Sequence, residues 1–448
     1  MRNNRSLLTL FSLVILALIA GCGPGPAAEA TSAPTQMAPT QIPIGGPITL
    51  WARYVSDDFS SRMAEWMEEF TADYPDAEVT LEILHDHELA EFVCSAGELP
   101  GVLLVPAEYL ACLDARDLLN TELPASIVGE MNEGAFYTVM EADTTLADGT
   151  VLGIPYYGAV QGIWYRADLF EEAGLAPPTT PEAILAAAEA LYDPDASQYG
   201  IVLPTTLEQD SLLMHHALTN LAQATGAQPI SEDGAIDFTD PAFVDAMQLY
   251  EDLMQYGPPS GTMMREARDL FLNQQAAMIL DSTALPQALA DRTTDVKRDE
   301  LARVMAYASA INPTEDGSTT YAYTLALAVG SASDENSARA LIAYLMDDAY
   351  NVYWIPSGWA PAQRGYAMQW RSLKAHDWFG YYEGGMPEDL LDGLRKSVRW
   401  NHASDEAAVA FSRVYAARLF PLAVDQLVNG LDGQGAAEWL QSEAGALP

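Results

Sequence analysis

His85-Asp86-His87-Glu88 is the one cluster in this chain with metal-ligand chemistry. His-x-His on an extended segment places both imidazoles on the same side. The chain has only six His, and the others, His215-His216, His376 and His402, show no ligand spacing. The cluster therefore reads as a polar loop, with a metal site as the alternative; no metal and no cofactor are expected. Catalytic motifs are missing as well. The sequence contains no G-x-S-x-G, H-E-x-x-H or G-x-x-x-x-G-K-[ST], and no Cys placed as a nucleophile. With 63 Asp and Glu in the chain, adjacent carboxylates carry no information about a glycosidase pair. The expectation is a binding protein and not an enzyme.

The elements that must position such groups follow from periodicity. Ile48, Leu50 and Ala52 alternate with polar or large neighbours as a strand, and Val79, Leu81 and Ile83 do the same. Between them Phe59, Met63, Trp66, Met67, Phe70 and Tyr74 share one helical face, which Pro75 ends. Val102-Leu103-Leu104-Val105 is a continuous apolar run, expected of a strand covered on both faces. Strands alternating with helices of this length predict an α/β fold built on a mostly parallel sheet. Asp240-Pro241 opens a helix, Tyr323 to Val329 reads as a strand, and a helix capped near Asp334 follows it. Val409 to Leu431 is the clearest helical run of the C-terminal region.

One stretch is more specific than any periodicity. Leu152-Gly153-Ile154-Pro155-Tyr156-Tyr157 is followed by Trp164-Tyr165-Arg166-Ala167-Asp168-Leu169-Phe170 and Glu171-Glu172-Ala173-Gly174-Leu175. Gly174 suits a left-handed helix C-cap, and Thr180 with Pro181 reads as an N-cap and first helical position. The stretch resembles the "GIPY … YYNKDLFKEAGL" segment of extracellular solute-binding proteins, family 1, the maltodextrin-binding type of sugar receptor for ABC importers. Leu270 to Asp281 resembles that family's "F-x-x-G-x-A-A-M" block, and Ser357-Gly358-Trp359-Ala360-Pro361 its "TGYLP". Two departures stand out: Gly101 replaces an Asp frequent before the third strand, and Ser282-Thr283-Ala284 lacks the family's stacking Trp.

The resemblance implies a two-lobed periplasmic-binding-protein type II fold with a hinge and an inter-lobe ligand cleft. It implies residues 48–157 and 309–350 in lobe 1, residues 158–308 and 351–448 in lobe 2, and crossings near Tyr157–Gly162, Ala308–Tyr321 and Asp347–Tyr353. Sugar rings lie on aromatic faces, and their hydroxyls pair with carboxylates, amides and guanidinium groups. On the segments that reach such a cleft the candidates are Trp51, Arg53, Tyr54, Glu108, Tyr109, Tyr156, Tyr157, Gln161, Asp281, Tyr321, Tyr323, Trp354 and Trp359. Trp51, Tyr157, Asp281 and Trp359 are expected to edge the cleft. The implied function is capture of a sugar or oligosaccharide by hinge closure and its delivery to ABC permease subunits by a monomer. Service to a membrane sensor, and a polyamine or glycerophosphodiester cargo, remain open.

The N-terminus bears on where this happens. Arg2 and Arg5, then a short apolar run to Ala20, form a secretory signal too short to span a bilayer as a helix. Ile19-Ala20-Gly21-Cys22 resembles a bacterial lipobox, which implies residues 1–21 as signal peptide, a lipid on Cys22 and an extracytoplasmic, membrane-anchored protein. An ordinary signal peptide is the alternative. Residues 22–47, rich in Gly, Pro, Ala, Thr and Gln, read as a disordered tether. The net charge of −42 argues against nucleic acid and anionic lipid surfaces as partners. It fits a solvated acidic surface, or else attraction of a cationic ligand. Cys94 and Cys112 bracket the Val102–Val105 strand as either a disulfide or two buried thiols.

Overall fold

The computed structural model describes residues 44, 46–95, 97–99, 101–207, 212–259, 261–285, 295–309, 311, 321–353, 360–364, 394, 397 and 399–447. Nearly all of the expected signal and tether lies outside them. β1 (Gly46–Arg53) pairs in parallel with β2 (Ala77–Leu84) and with β3 (Val102–Pro106). The helix Asp57–Asp73 links the first two. Ser56 accepts the N–H of Phe59 as its N-cap, and it buries Phe59, Met63, Trp66, Met67 and Phe70, the stripe read from the sequence.

The remaining strands are β4 (Ile154–Arg166), β5 (Met278–Ser282), β6 (Met305–Ala308), β7 (Ala322–Val329) and β8 (Ala360–Pro361). The order is β2-β1-β3-β7-β4-β5, with β6 and β8 also on β4. Among the named strands, parallel pairing joins β1 to its two neighbours, with isolated parallel bridges at Tyr199–Ala276 and Val202–Ile279; β3 with β7 and every pairing of β4 is antiparallel. This corrects the expectation of a mostly parallel sheet. The first two connections are local β-helix-β units, whereas β7 enters the sheet after an excursion of more than 150 residues and runs the other way.

β4 carries the division into two lobes. Its first half pairs with β7 up to Val160–Ala322, and its second half pairs with β5 from Gln161–Ser282 onward. Residues 157–162 thus lie within one continuous strand. Gly158 and Gly162 permit this, since a Cβ would lie 2.4 Å from the Tyr323 carbonyl oxygen at one and 2.4 Å from that of Ala308 at the other. The first lobe buries one core on each face of its sheet, around Leu50, Leu104 and Leu341 and around Trp51, Leu103 and Leu110. The second lobe is built around the helix Leu212–Ala224, every residue of which is buried.

The third crossing falls later than Asp347–Tyr353. β8 still pairs with β4 in the first lobe, Leu394 packs in the first core, and Trp400 packs in the second. Beyond it, the predicted run from Val409 to Leu431 is broken into the helices Asp405–Ala416 and Leu419–Val428, because Arg418 takes a left-handed conformation at φ +54°. Cys112 is buried with its sulfur 3.2 Å from the Tyr109 carbonyl oxygen. The side chain of Cys94 lies outside the described residues.

Candidate functional site

Strand ends of the first lobe deliver charge to the junction between the lobes. β1 ends at Arg53, whose Nε donates to Asp86 Oδ1 at 2.6 Å and whose Nη2 donates to Oδ2 at 3.3 Å. Asp86 Oδ2 also accepts the backbone N–H of Leu212 at 3.0 Å. Leu212 is the first described residue of a second-lobe helix, so a first-lobe carboxylate sits where a helix N-terminus favours negative charge. Within the His85–Glu88 cluster, Glu88 Oε2 accepts the His85 N–H at 2.9 Å, as in a capping box. Among the described residues no group of three His, Cys, Asp or Glu side chains could hold a metal ion.

The turn after β3 carries Glu108 and Tyr109, both buried. Glu108 Oε1 accepts Tyr321 Oη–H at 2.9 Å and Arg399 Nη1–H at 2.7 Å. Arg399 also pairs with Asp143 at 3.0 Å, and Asp143 accepts from His402 Nε2 at 2.6 Å. Burial pushes the Glu108 carboxyl above its ordinary range, with Arg399 pulling the other way. Tyr109 meets the ring of Tyr415 edge-on at 4.9 Å.

The second lobe answers with imidazoles. His216 stacks on Tyr323 at 4.5 Å and lies 5.2 Å from the ring of Tyr321, while Gln161 Nε2 donates to its Nδ1 at 3.1 Å. An amide nitrogen only donates, so the neutral ring carries its proton on Nε2. His215 stacks on Phe420 at 4.8 Å beside Tyr415. Burial holds His215 down to about 3, and burial together with neighbouring His215, Arg53 and Arg399 holds His216 well below the usual imidazole range. Both rings are therefore neutral at physiological pH. Asp281, at the end of β5, takes both Nε–H and Nη2–H of Arg268, at 2.6 and 2.8 Å.

Seven of the sequence candidates meet here: Arg53, Glu108, Tyr109, Gln161, Asp281, Tyr321 and Tyr323. Trp51 and Tyr157, expected at the edge of the cleft, are instead core residues of the first lobe. Alternation along a central strand turns Trp51 onto the face covered by the helix Asp86–Ser95, where it packs edge-on to Phe92. Tyr156 is likewise core, its hydroxyl donating to the Leu345 carbonyl at 2.7 Å. Tyr54 sits at the rim beside His85, donating to Asp57 Oδ1. Asp281 is engaged by Arg268 and acts by holding that guanidinium. Trp354 and Trp359 lie outside the described residues.

Sequence reading missed His215, His216, Arg268 and Arg399. One signal was present: His215, His216, Thr219, Asn220 and Gln223 interrupt an otherwise apolar helix, and polar side chains on a helix buried all round must face a partner or a site. Several of these groups have polar atoms buried without a hydrogen-bond partner among the described residues. They are His215 Nε2, His216 Nε2, Asn220 Nδ2, Arg399 Nε and Tyr415 Oη.

Residues 54–352 match the family of bacterial extracellular solute-binding proteins, and the chain belongs to that family. It is similar to the "Putative ABC transporter periplasmic-binding protein YcjN" of Escherichia coli (strain K12), 28% identical over 57% of this chain and 57% of that one. It is also similar to the mannitol-binding protein of Pseudomonas aeruginosa, 28% identical over 45% of this chain and 46% of the relative. The chain thus spans about half the length of the curated relatives it matches. Among solved structures, an ABC transporter solute-binding protein from Agrobacterium radiobacter K84 in complex with ribitol superposes with a TM-score of 0.66, at 18% identity, over 90% of this chain and 99% of that one. The fold is the two-lobed type II periplasmic-binding-protein fold.

Proposed function

We propose that this chain captures a small, neutral, polyhydroxylated solute, a sugar or polyol, between its lobes and presents it to an ABC permease while tethered by a lipid on Cys22. The observation that carries this reading is the set of buried, unpartnered polar atoms on and around the helix Leu212–Ala224. Four of the five are on nitrogen and the fifth is a phenol, so most of what they need is oxygen acceptors. Charge argues that those oxygens are not anionic: Arg53 is matched by Asp86, Arg268 by Asp281, and Arg399 by Glu108 and Asp143. Hydroxyl and ether oxygens fit the remainder. The platform rings are already engaged, His216 on Tyr323 and Arg399 over Tyr321 at 5.1 Å, which favours a compact polyol or short sugar over a stacked oligosaccharide. The mannitol and ribitol of the two relatives are solutes of this kind.

Capture would work by differential contact. Asp86 with the Leu212 N–H, and His216 stacked on Tyr323, join lobe to lobe in the closed form, and a solute bridging the same groups shifts the open–closed balance toward closure. Calorimetric titration with D-mannitol, ribitol, maltose and glycerophosphocholine tests the reading. Saturable binding of a neutral member is expected; a preference for glycerophosphocholine over every neutral solute would overturn it.

A further inference from the structure

A cavity of about 520 Å³ lies beside the junction, walled by the helix Thr138–Asp143, the turn after it and the start of the helix Asp405–Ala416. It shares Glu108, Asp143 and His402 with the network around Arg399, but none of the five unpartnered atoms assigned to the solute belongs to its lining residues. Its chemistry is the opposite of theirs. Glu108, Glu141 and Asp143 line it, and among the described lining residues none is Lys or Arg. Glu108 is only 2% exposed; its Oε1 is engaged by Tyr321 and Arg399, whereas its Oε2 is buried with no partner among the described residues. Asn401 Oδ1, also in the lining, is buried and unpartnered in the same way. Asn401 Oδ1 can only accept, and so can Glu108 Oε2 in the ionised carboxylate. Arg364 meets one lining residue, Thr138, by Nη2–H to Oγ1 at 3.1 Å, and lies over the ring of Tyr137. The rest of the wall is largely apolar, with Val128, Leu146, Val151 and Leu152.

Acceptor atoms in the wall of a chamber that is otherwise largely apolar suit a ligand that brings donors on a hydrocarbon stem. We propose that this cavity is a second binding site, separate from the solute cleft, for an aliphatic primary amine. Its ammonium, with three N–H donors and no acceptor, would be held by Glu108 Oε2 and Asn401 Oδ1 with Glu141 nearby, and its methylenes would lie along the apolar wall. The proposal does not depend on which solute fills the cleft.

The test is calorimetric titration of 1,4-diaminobutane into the full-length protein at physiological ionic strength, repeated with the cleft saturated by its best neutral solute. A single saturable diamine site is expected in both cases, and 1,4-butanediol, of the same length without the charge, should give none. Ala142→Phe, which fills the cavity from its wall, should weaken the diamine at least tenfold and leave the neutral solute unchanged. Glu108→Gln should weaken the diamine by tenfold or more, the scale of a lost charge-assisted bond. Competition between the diamine and the neutral solute would place the amine in the cleft and overturn the proposal. So would wild-type diamine affinity in Ala142→Phe, or the absence of saturable heat at millimolar diamine. A protein that binds the diamine and no neutral solute would instead sink the sugar or polyol reading and leave this one standing.

Discussion

His215 gives the molecule a defined sensitivity to acid. Its ring packs against Phe411, Tyr415 and Phe420, all from helices of the second lobe. Burial is the main reason its folded pKa stands at about 3. An unfolded His titrates near 6.5, and a folded value below the unfolded one means the unfolded chain binds the extra proton first. The stabilisation is therefore present above about pH 6.5 and is lost as pH falls toward the folded value. Between pH 7 and pH 5 the unfolded imidazole goes from about a quarter protonated to nearly fully protonated, which costs about 1.9 kcal/mol of folding stability. Glu108 works in the other direction, because its raised carboxyl pKa makes the folded state take up a proton earlier than the unfolded one. The perturbation that isolates His215 is His215→Phe, whose ring suits the aromatic surroundings and does not titrate. Urea unfolding of both proteins at pH 7, 6 and 5 is the assay. The wild type should lose about 2 kcal/mol more than the variant over that range. Equal losses would refute the claim that this imidazole is buried and neutral.

Asp86→Ala leaves Arg53 without its carboxylate and the Leu212 N–H without its acceptor, and should lower stability by about 3–5 kcal/mol in a melting or denaturant experiment. Gly101→Ala should prevent stable pairing of β1 with β3, because Gly101 has φ +73° and an added Cβ would fall 1.8 Å from the Thr49 carbonyl oxygen. A variant with an unchanged melting curve would contradict that geometry. Cys22→Ser should release the protein from the membrane fraction or block its processing, and identical fractionation of both forms would remove the proposed anchor.

The helix stripe from Phe59 to Phe70, the Thr180 cap that accepts from Ala183, and Gly174 at φ +67° were legible because each rests on local spacing or on one residue's conformational freedom. β4 was less so. Its two glycines and central Gln161 look like a loop between lobes, and only the strands that arrive from either side, β7 and β5, make it one continuous strand. The candidate site divides the same way. Positions at strand ends, such as Arg53, Glu108, Tyr321 and Tyr323, could be placed near a cleft from the order of segments. Their partners could not: Arg399 reaches Glu108 across 291 positions, and His216 reaches Gln161 across 55, with no periodic pattern to announce either pairing. Aromatic residue type misled at Trp51 and Tyr157, because it does not say which face of a doubly covered sheet a ring will take.

The most direct test of the junction as the solute site is titration of the panel's best neutral solute into wild type and His216→Phe. Phenylalanine keeps a ring to stack on Tyr323 but removes the Nε2 donor and the acceptor that Gln161 uses. The expected result is saturable binding by the wild type and an affinity at least tenfold weaker in the variant, about 1.4 kcal/mol, with near-native circular dichroism. Wild-type affinity in a well-folded His216→Phe protein would show that the solute sits elsewhere.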